Sequence, residues 1–577
     1  MKITKNLPFL LELCTNGLFI LLYLIYDSGK LSLDTLEQFN IITILDYVKY
    51  MAPCVVLWVA YLNYRSLDNI ESYFRKYIFS IIMIVPLFMT WGDLKFSFWL
   101  SSVHLLSTFL ALYETPKISL MATTSERSGM SLYEKLKMSP GQIVLLSFAL
   151  IIFVGTVLLS FPIAAADGKE IPLIDAFFTA TSATCVTGLT TLQINEHFSF
   201  LGQCIILILI QIGGLGYMTL YSSMSIILGK SLAVKDQVLM QDLLDINSFE
   251  DLISMINNII KYTLIIESAG AILLTIAFNM KGYEFGEALY FGVFHSISAF
   301  CNAGFSLFDN SLESFAMDPL VNFTITALII LGGLGFIVLK EGEAIIRKKR
   351  KLINLSVHSK VVLTANFFLI FLLTIYIFFS EYLHAFRDYE LWEQLQLAFF
   401  HSVTTRTAGF NTLPLNIFHS HTLYLFSLFM FIGASPGSTG GGIKTTTFAI
   451  LVQSVKATLK GRDRVEFFDR TVPNIVVVRA ISIIVVSLML VSLFVLILMR
   501  IEPEHDFQAV SFEVMSAFAT VGLSLGITPY LSVGGKIIIS LLMLVGRVGP
   551  LTMVLAIGQP KETSGNVDYP KGRIMIG

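Results

Sequence analysis

Apolar and polar stretches alternate along the whole chain, and the lengths of the apolar ones follow a rhythm. Four apolar segments occupy the first fifth: Phe9–Tyr26, Tyr47–Leu62, Tyr77–Met89 and Phe98–Leu112, the last two short. A polar stretch from Glu114 to Pro140 follows, with Lys117, Arg127, Lys135 and Lys137. Then a long run (Ile143–Ile163) leads to a short one (Ile174–Ala183), a polar turn containing glycine, and a second long run (Phe200–Leu228). As a helix the short run reaches about 15 Å, half the hydrocarbon thickness of a bilayer. It must enter and leave by one side or be buried among other helices.

The long–short–long pattern recurs over Ile256–Arg347, Val361–Val455 and Val472–Ile557. After each short run comes a polar segment ending in glycine followed by Leu or Phe. These segments are Ser182 to Gly188-Leu189, Ser298 to Gly304-Phe305, Thr404 to Gly409-Phe410, and Ser516 to Gly522-Leu523. The glycines are 116, 105 and 113 residues apart, and copy three is one residue tighter between its polar start and its glycine. A repeated period of this kind defines the architecture. The expected fold is an all-α polytopic membrane protein, with four pseudo-repeated helix–pore-loop–helix units around a central pore. An N-terminal extension of about four transmembrane helices (1–113) precedes unit one (140–228), unit two (254–347), unit three (360–455) and unit four (470–557). A C-terminal tail (558–577) follows.

Composition agrees. The chain is 55% hydrophobic and 14% charged, against about 25% charged in soluble domains. Net charge is −2 and decides nothing. Cys14, Cys54, Cys185, Cys204 and Cys301 have neither zinc-ligand spacing nor a disulfide framework, so packing is the expected role. The first apolar run lacks a clear cleavage site and leads into further spans, so it reads as a span.

Charge placement orients the chain. The short-run loops are acidic: Asp167, Glu170, Asp175, Glu196, Glu284, Glu287, Asp309, Glu313, Asp318, Glu381, Asp388, Glu390, Glu393, Glu502, Glu504 and Asp506, against Lys169, Lys281 and Arg387. The opposite connections are basic, with Arg347-Lys348-Lys349-Arg350-Lys351 and then Lys456, Lys460, Arg462, Arg464 and Arg470. Basic loops stay in the cytoplasm. The glycine turns are therefore expected to face outward, ringed by carboxylates that concentrate cations. A plainer reading is that outer loops are mildly acidic because bases are kept inside.

Four equivalent turns suit a cation filter. A dehydrated K+ needs oxygen ligands in place of water, and backbone carbonyls around an axis supply them. Such turns use angles that glycine adopts without steric cost. Short helices ending at the turns would aim their partly negative C-termini at the centre.

With these turns the chain resembles the Trk/Ktr/HKT superfamily of potassium transporters, especially the bacterial Trk/Ktr pore subunits. The matching pieces are Thr-Cys-Val-Thr-Gly188-Leu, Phe-Cys-Asn-Ala-Gly304-Phe, Thr-Arg-Thr-Ala-Gly409-Phe-Asn and Ala-Thr-Val-Gly522-Leu. Pro436-Gly-Ser-Thr-Gly-Gly-Gly-Ile-Lys444-Thr-Thr-Thr resembles the family's intramembrane loop, and Gly546-Arg547-Val-Gly-Pro-Leu its last-helix motif. The likeness covers roughly 140–577. It implies K+ uptake at the plasma membrane (the bacterial cell inner membrane), a multi-pass chain with both termini cytoplasmic, and a homodimer with one pore per protomer. It also implies gating by a cytosolic nucleotide-binding regulatory subunit. Glycine in all four filters goes with K+ preference in that family, and serine in the first with Na+ permeation. Family members have none or about two extra N-terminal spans where this chain shows four.

The expected filter residues are Val186, Thr187 and Gly188; Asn302, Ala303 and Gly304; Thr407, Ala408 and Gly409; and Thr520, Val521 and Gly522. K+ would be bound through their backbone carbonyls. The loop 433–447 breaks an apolar span and is the expected gate, with Gly437, Gly440, Gly441, Gly442, Lys444 and Arg547. Lys444 reads either as an inner-face anchor or as a charge impeding cations. Arg547 is an intramembrane charge, functional by default, and is expected near that loop; snorkelling to the surface competes. Glu267 is expected to pair with a base or cap a helix. Arg406 is read as a strut through carboxylates or backbone, and His295 and His401 as caps beginning the short helices. Gly213, Gly214 and Gly216, like Gly332, Gly333 and Gly335, read as close helix packing.

Nothing resembles a catalytic set or a phosphate-binding motif, so no enzyme activity, nucleic-acid partner or cofactor is expected. Membrane lipid is the surrounding partner and K+ the cargo. Na+- or H+-coupled K+ symport stays open beside channel-like flow, and a membrane-embedded enzyme is the remoter alternative.

Overall fold

Each long–short–long group folds as helices that set one buried short helix against longer partners. The computed structural model describes residues 54, 140–168, 171–216, 249–348, 355–550 and 552–553. The chain divides into two compact units, Met1–Met130 and Ser131–Gly577. Apart from Cys54, every described residue belongs to the second. The N-terminal spans expected over 1–113, the end of unit one (217–228), Lys169, Glu170, Lys349–Lys351 and the tail 558–577 lie outside the described residues.

Group one comprises α1 (Pro140–Ser160), α2 (Leu173–Cys185) and α3 (Phe200–Leu215). Group two has α4 (Phe249–Met280), α5 (Phe285–Phe300), α6 (Pro319–Leu334) and α7 (Phe336–Lys348). Group three has α8 (Val357–Glu381), α9 (Leu391–Thr404), α10 (Ser420–Phe431) and α11 (Thr445–Leu459). Group four has α12 (Asn474–Ile501), α13 (Phe507–Ala519) and α14 (Val533–Val548). Among the described residues the one sheet is a hairpin, Glu466–Phe467 with Arg470–Thr471. Among the described residues three helices, Ile256–Met280, Val357–Glu381 and Asn474–Ile501, are long and apolar enough to cross a membrane, and α6 with α7, bent by 106°, makes a fourth if the pair is one span.

The short helices α2, α5, α9 and α13 run 13, 16, 14 and 13 residues, longer than the ten-residue apolar run of the first copy. Some hydroxyls within these helices bond back to the helix's own carbonyls. Thr181 Oγ1, for example, donates to the Phe177 carbonyl at 2.8 Å. Such back-bonding satisfies a hydroxyl with no water. Each short helix carries a fully buried phenylalanine, namely Phe178, Phe294, Phe400 and Phe512. Each stands ten residues before its glycine, or nine in the tighter third copy. Large apolar residues on the outer helices point the other way: Phe379 is 74% exposed and Leu496 67%. The short helices are thus buried and the outer helices apolar at the rim, as suits a lipid-facing protein.

Gly216, expected to serve close packing, instead ends a helix, and Gly335 ends one while also lying close against the Pro436 carbonyl. Gly216 caps α3 with φ +81°. Gly335, φ +94°, sits at the 106° break, where Phe336 N–H donates to the Gly437 carbonyl at 2.9 Å. Gly213 and Gly332 do pack closely, against the Thr184 and Phe300 carbonyls at the ends of α2 and α5.

Candidate functional site

The four short helices end alike. The residue two before each glycine is left-handed: Val186 (φ 56°), Asn302 (58°), Thr407 (63°) and Thr520 (52°). The glycines are also at positive φ, Gly188 at 93°, Gly304 at 70°, Gly409 at 81° and Gly522 at 95°. A side chain is strained at such angles. An anchor in the last helical turn holds each bend. Thr187 N–H donates to the Ser182 carbonyl (2.8 Å), Ala303 to Ser298 (2.7 Å), Ala408 to Thr404 (3.0 Å) and Val521 to Ser516 (2.9 Å). The hydroxyls add a second tie. Ser182 Oγ and Ser516 Oγ accept from the N–H groups of Gly188 and Gly522 at 3.1 and 3.0 Å. Ser298 and Thr404 hydroxyls donate to the Phe305 and Phe410 carbonyls at 2.8 and 2.6 Å.

The bends close into a ring. A Cβ built on Gly188 would lie 3.1 Å from the Gly304 Cα; on Gly304, 3.1 Å from the Gly409 Cα; on Gly409, 3.2 Å from the Gly522 Cα; on Gly522, 3.0 Å from the Gly188 Cα. The nearest atoms to those positions are the carbonyl oxygens of Ala303, Ala408, Val521 and Thr187 in the same order. Any side chain at the glycines would push into a neighbour's backbone. The four expected turns come together here, and backbone carbonyls gathered in such a ring are suited to a monovalent cation.

Above the ring lies a cavity of about 370 Å³ reached by all four glycines and by Thr190, Asn195, Ser306, Asp309, Glu313 and Asn411. Of the sixteen acids expected to ring the mouth, Asp309 and Glu313 line this cavity. Others are committed to the fold. Asp318 caps α6 by accepting from Leu320 and Val321 N–H, and Glu390 and Glu393 form a capping box on α9. Asp175 pairs with Lys536 at 2.7 Å. Part of the carboxylate ring of the sequence reading is therefore helix capping and pairing. Burial raises the Glu313 carboxyl above its ordinary 4.5, with the Asn411 amide bond opposing; that bond is 2.7 Å.

Beneath the ring, the segment joining α10 to α11 is pinned from several sides. Ser435 and Thr439 N–H donate to the Gly333 and Gly332 carbonyls at 3.0 and 3.2 Å. Thr439 Oγ1 donates to the Phe300 carbonyl at 3.0 Å. Gly441 N–H donates to Thr520 Oγ1 at 3.2 Å, and Gly440 abuts Thr407. Gly442 packs on Gly433, whereas Gly437 faces α7. Lys444 folds back to its own loop, Nζ donating to the Gly440 carbonyl at 2.8 Å, and is neither a surface anchor nor free. Arg547 lies at the loop as expected. It donates to the carbonyls of Thr439 and Gly213, and to Gly214 at 3.2 Å.

Other expectations change. Arg406 braces the loop through the Gly433 carbonyl (2.8 Å) and the Asn366 amide oxygen (3.0 Å), with no carboxylate. Among the described residues Glu267 neither pairs with a base nor caps a helix; the Gln211 amide donates to it at 3.1 Å. A neutral donor suits a polar group inside a dry core. His295 and His401 sit in the later turns of α5 and α9, each bonded to the carbonyl four residues earlier, rather than beginning those helices. His295 Nε2 also contacts Ser306 Oγ at 3.1 Å, bracing the chain beyond Gly304. Glu513 does the same in group four, accepting from Ser524 Oγ at 2.7 Å and from Thr528 Oγ1. Both stand nine residues before their glycine, a shared register that sequence reading passed over.

Comparison with known proteins follows the same lines. A family model described as TrkH, cation transport protein, matches residues 118–565. The Ktr system potassium uptake protein B of Bacillus subtilis is 38% identical over 76% of this chain and 97% of its own length. The potassium/sodium uptake protein NtpJ of Enterococcus hirae is 36% identical over 76% of this chain and 98% of its own. A crystal structure of the potassium transporter TrkH from Vibrio parahaemolyticus shares the fold with a TM-score of 0.61 at 19% identity, covering 84% of this chain and 96% of that one. With more than half of the sequence inside the family model and relatives matched almost end to end, this membrane-embedded chain belongs to the TrkH family of cation transport proteins.

Proposed function

We propose that the chain takes up K+ across the plasma membrane through the ring of Gly188, Gly304, Gly409 and Gly522. The observation that carries this reading is the closed circuit of positive-φ turns, each presenting backbone to its neighbour. Carbonyls of residues 186–188, 302–304, 407–409 and 520–522 replace the hydration shell of the ion. Asp309 and Glu313 in the cavity above raise the local cation concentration. The short helices direct their negative ends at the ring.

The loop 433–447, through Gly437, Gly440, Gly441, Gly442 and Lys444, together with Arg547, acts as the gate. Its contact with Thr407 and Thr520, directly below the glycines, supports that role. Opening requires the Arg547 bonds to the Thr439, Gly213 and Gly214 carbonyls to break. The four groups 140–228, 254–347, 360–455 and 470–557 serve as the pore units, behind an N-terminal extension (1–113) and before a tail (558–577). The setting is the bacterial inner membrane with both termini cytoplasmic, supported by the basic connections at Arg347–Lys351 and Lys456–Arg470. The assembly is a homodimer opened by a cytosolic nucleotide-binding regulatory subunit. No catalytic step and no resident cofactor are assigned.

A relative named for potassium and sodium uptake favours a second reading, Na+-coupled K+ entry. Uptake of K+ by cells lacking their own importers, with and without external Na+ across a pH series, tests both. Uptake that persists without Na+ and across pH supports uncoupled flow. Uptake that needs Na+ or follows the proton gradient supports coupling. Absence of K+ uptake in every condition contradicts both.

A further inference from the structure

Away from the ring, at the end of α8, three side chains converge on one point. Glu381 is the last residue of α8 and is fully buried. Its Oε1 accepts from His419 N–H at 3.1 Å and from Thr422 Oγ1 at 2.5 Å. Those two bonds hold the N-terminus of α10, for which His419 is the cap. Its Oε2 meets two imidazoles at once, Nδ1 of His384 at 3.2 Å and Nδ1 of His419 at 3.1 Å. Capping α10 needs Oε1 alone. A pair of ring nitrogens on the second oxygen is left over by that explanation.

We propose that Glu381, His384 and His419 form a binding site for a zinc-class divalent cation. The three ligand atoms lie within 4.8 Å of one another. A tetrahedral zinc with bonds of about 2.1 Å separates neighbouring ligand atoms by about 3.4 Å. The two carboxylate–imidazole distances fit after a shift of a few tenths of an ångström, and the two rings, whose centroids stand 3.7 Å apart, must turn apart to put both Nδ1 atoms on one cation. The cation would replace the protons now shared between Oε2 and the two Nδ1 atoms. Two imidazoles and one carboxylate select a borderline cation such as Zn2+ over Mg2+ or Ca2+, which favour oxygen ligands. The backbone N–H of His419 and the Thr422 hydroxyl already orient the carboxylate from behind, the support that metal ligands commonly need.

The site is open to entry. The His384 and His419 side chains are 50% and 38% exposed while Glu381 is sealed. A groove of about 630 Å³ bordered by Phe378, Tyr382, Leu383 and Leu391 reaches both rings. His421, stacked on His419 with centroids 4.9 Å apart, is engaged with Ser380 at 2.8 Å and stays outside the ligand set. A bound cation would tie three pieces together: the end of α8, the turn after it and the start of α10. The chain just before His419 includes Pro414, Leu415 and Asn416, which line the cavity above the glycine ring. The site itself does not depend on what passes through that ring.

The test is zinc binding to the purified full chain in detergent, read by competition with a chromogenic chelator and by thermal melting, with Mg2+ as control. The expected result is one Zn2+ per chain, a rise in melting temperature with Zn2+, and no rise with Mg2+. In His384→Gln/His419→Gln the affinity falls at least tenfold and the zinc-dependent rise disappears, while the melting temperature without metal changes little. If the double variant does not purify folded, His384→Ala, altered only on the exposed turn, must show the same loss. Unchanged stoichiometry and affinity in a folded variant, or an equal response to Mg2+, overturns the proposal.

Discussion

Arg547 on the last helix donates to the carbonyl oxygen of Thr439, in the segment lying beneath the glycine ring. The same guanidinium reaches the Gly213 and Gly214 carbonyls at the end of α3. One cation thus joins the loop to two helices of different groups, at a helix C-terminus whose partial charge favours it. A hydrogen bond to a charged group contributes about 1.5–3 kcal/mol. Arg547→Gln should therefore raise resting Rb+ efflux from proteoliposomes about tenfold or more, with Arg547→Lys in between. Efflux equal to that of the native chain would remove Arg547 from the gate.

The serine anchors offer a finer probe of the ring. Ser182 and Ser516 hydroxyls accept from the N–H groups of Gly188 and Gly522. Removing the acceptor leaves a partly buried donor without its partner, at a cost of up to about 1–3 kcal/mol. Ser182→Ala and Ser516→Ala should each lower K+ over Na+ selectivity several-fold, measured by competitive uptake, with protein levels near native. Unchanged selectivity in both would mean that the backbone ties alone hold the turns.

Mild acid should weaken K+ entry through Glu313. Burial holds its carboxyl above the ordinary 4.5, so it takes up a proton at higher pH than an exposed glutamate. As pH falls the cavity loses negative charge, and the apparent affinity for external K+ should drop. Glu313→Gln should start with the weaker affinity and show a flatter pH profile. Parallel profiles in the two proteins would place the titration elsewhere.

Asp175 and Lys536 form a pair at 2.7 Å with side-chain exposures of 9% and 13%. It links α2 to α14, from opposite ends of the described sequence. Removing one member of a buried pair is strongly destabilising, by about 3–5 kcal/mol, because the other is left uncompensated. Asp175→Asn should lower the melting temperature in detergent, and Asp175→Asn/Lys536→Met should melt higher than the single variant. A double variant that melts lower still would show the pair to be incidental.

Much of this arrangement is legible in the chain, and the limits have physical causes. Gly188, Gly304, Gly409 and Gly522 stand out because a backbone requirement recurs in a fixed register between long apolar runs. The left-handed conformation two positions earlier is hidden, since none of Val186, Asn302, Thr407 and Thr520 is a glycine and their conformation is imposed by the fold. Acidic loops look like a cation funnel, yet Asp318, Glu390 and Glu393 cap helices. A carboxylate near a helix start serves either purpose, and only geometry separates them. The cluster of Glu381, His384 and His419 is invisible because its members come from the end of α8, the turn after it and the start of α10, far apart in sequence.

The most direct measurement is competitive K+ and Na+ flux through Gly188→Ser beside the native chain in proteoliposomes. A serine Cβ at this position falls 2.5 Å from the Ala303 carbonyl oxygen, at a φ of +93°. The ring must therefore distort where the ion sheds its water. The native chain should prefer K+, and Gly188→Ser should admit Na+ nearly as well. Equal preference for K+ in both would contradict the glycine ring as the place where the ion is chosen.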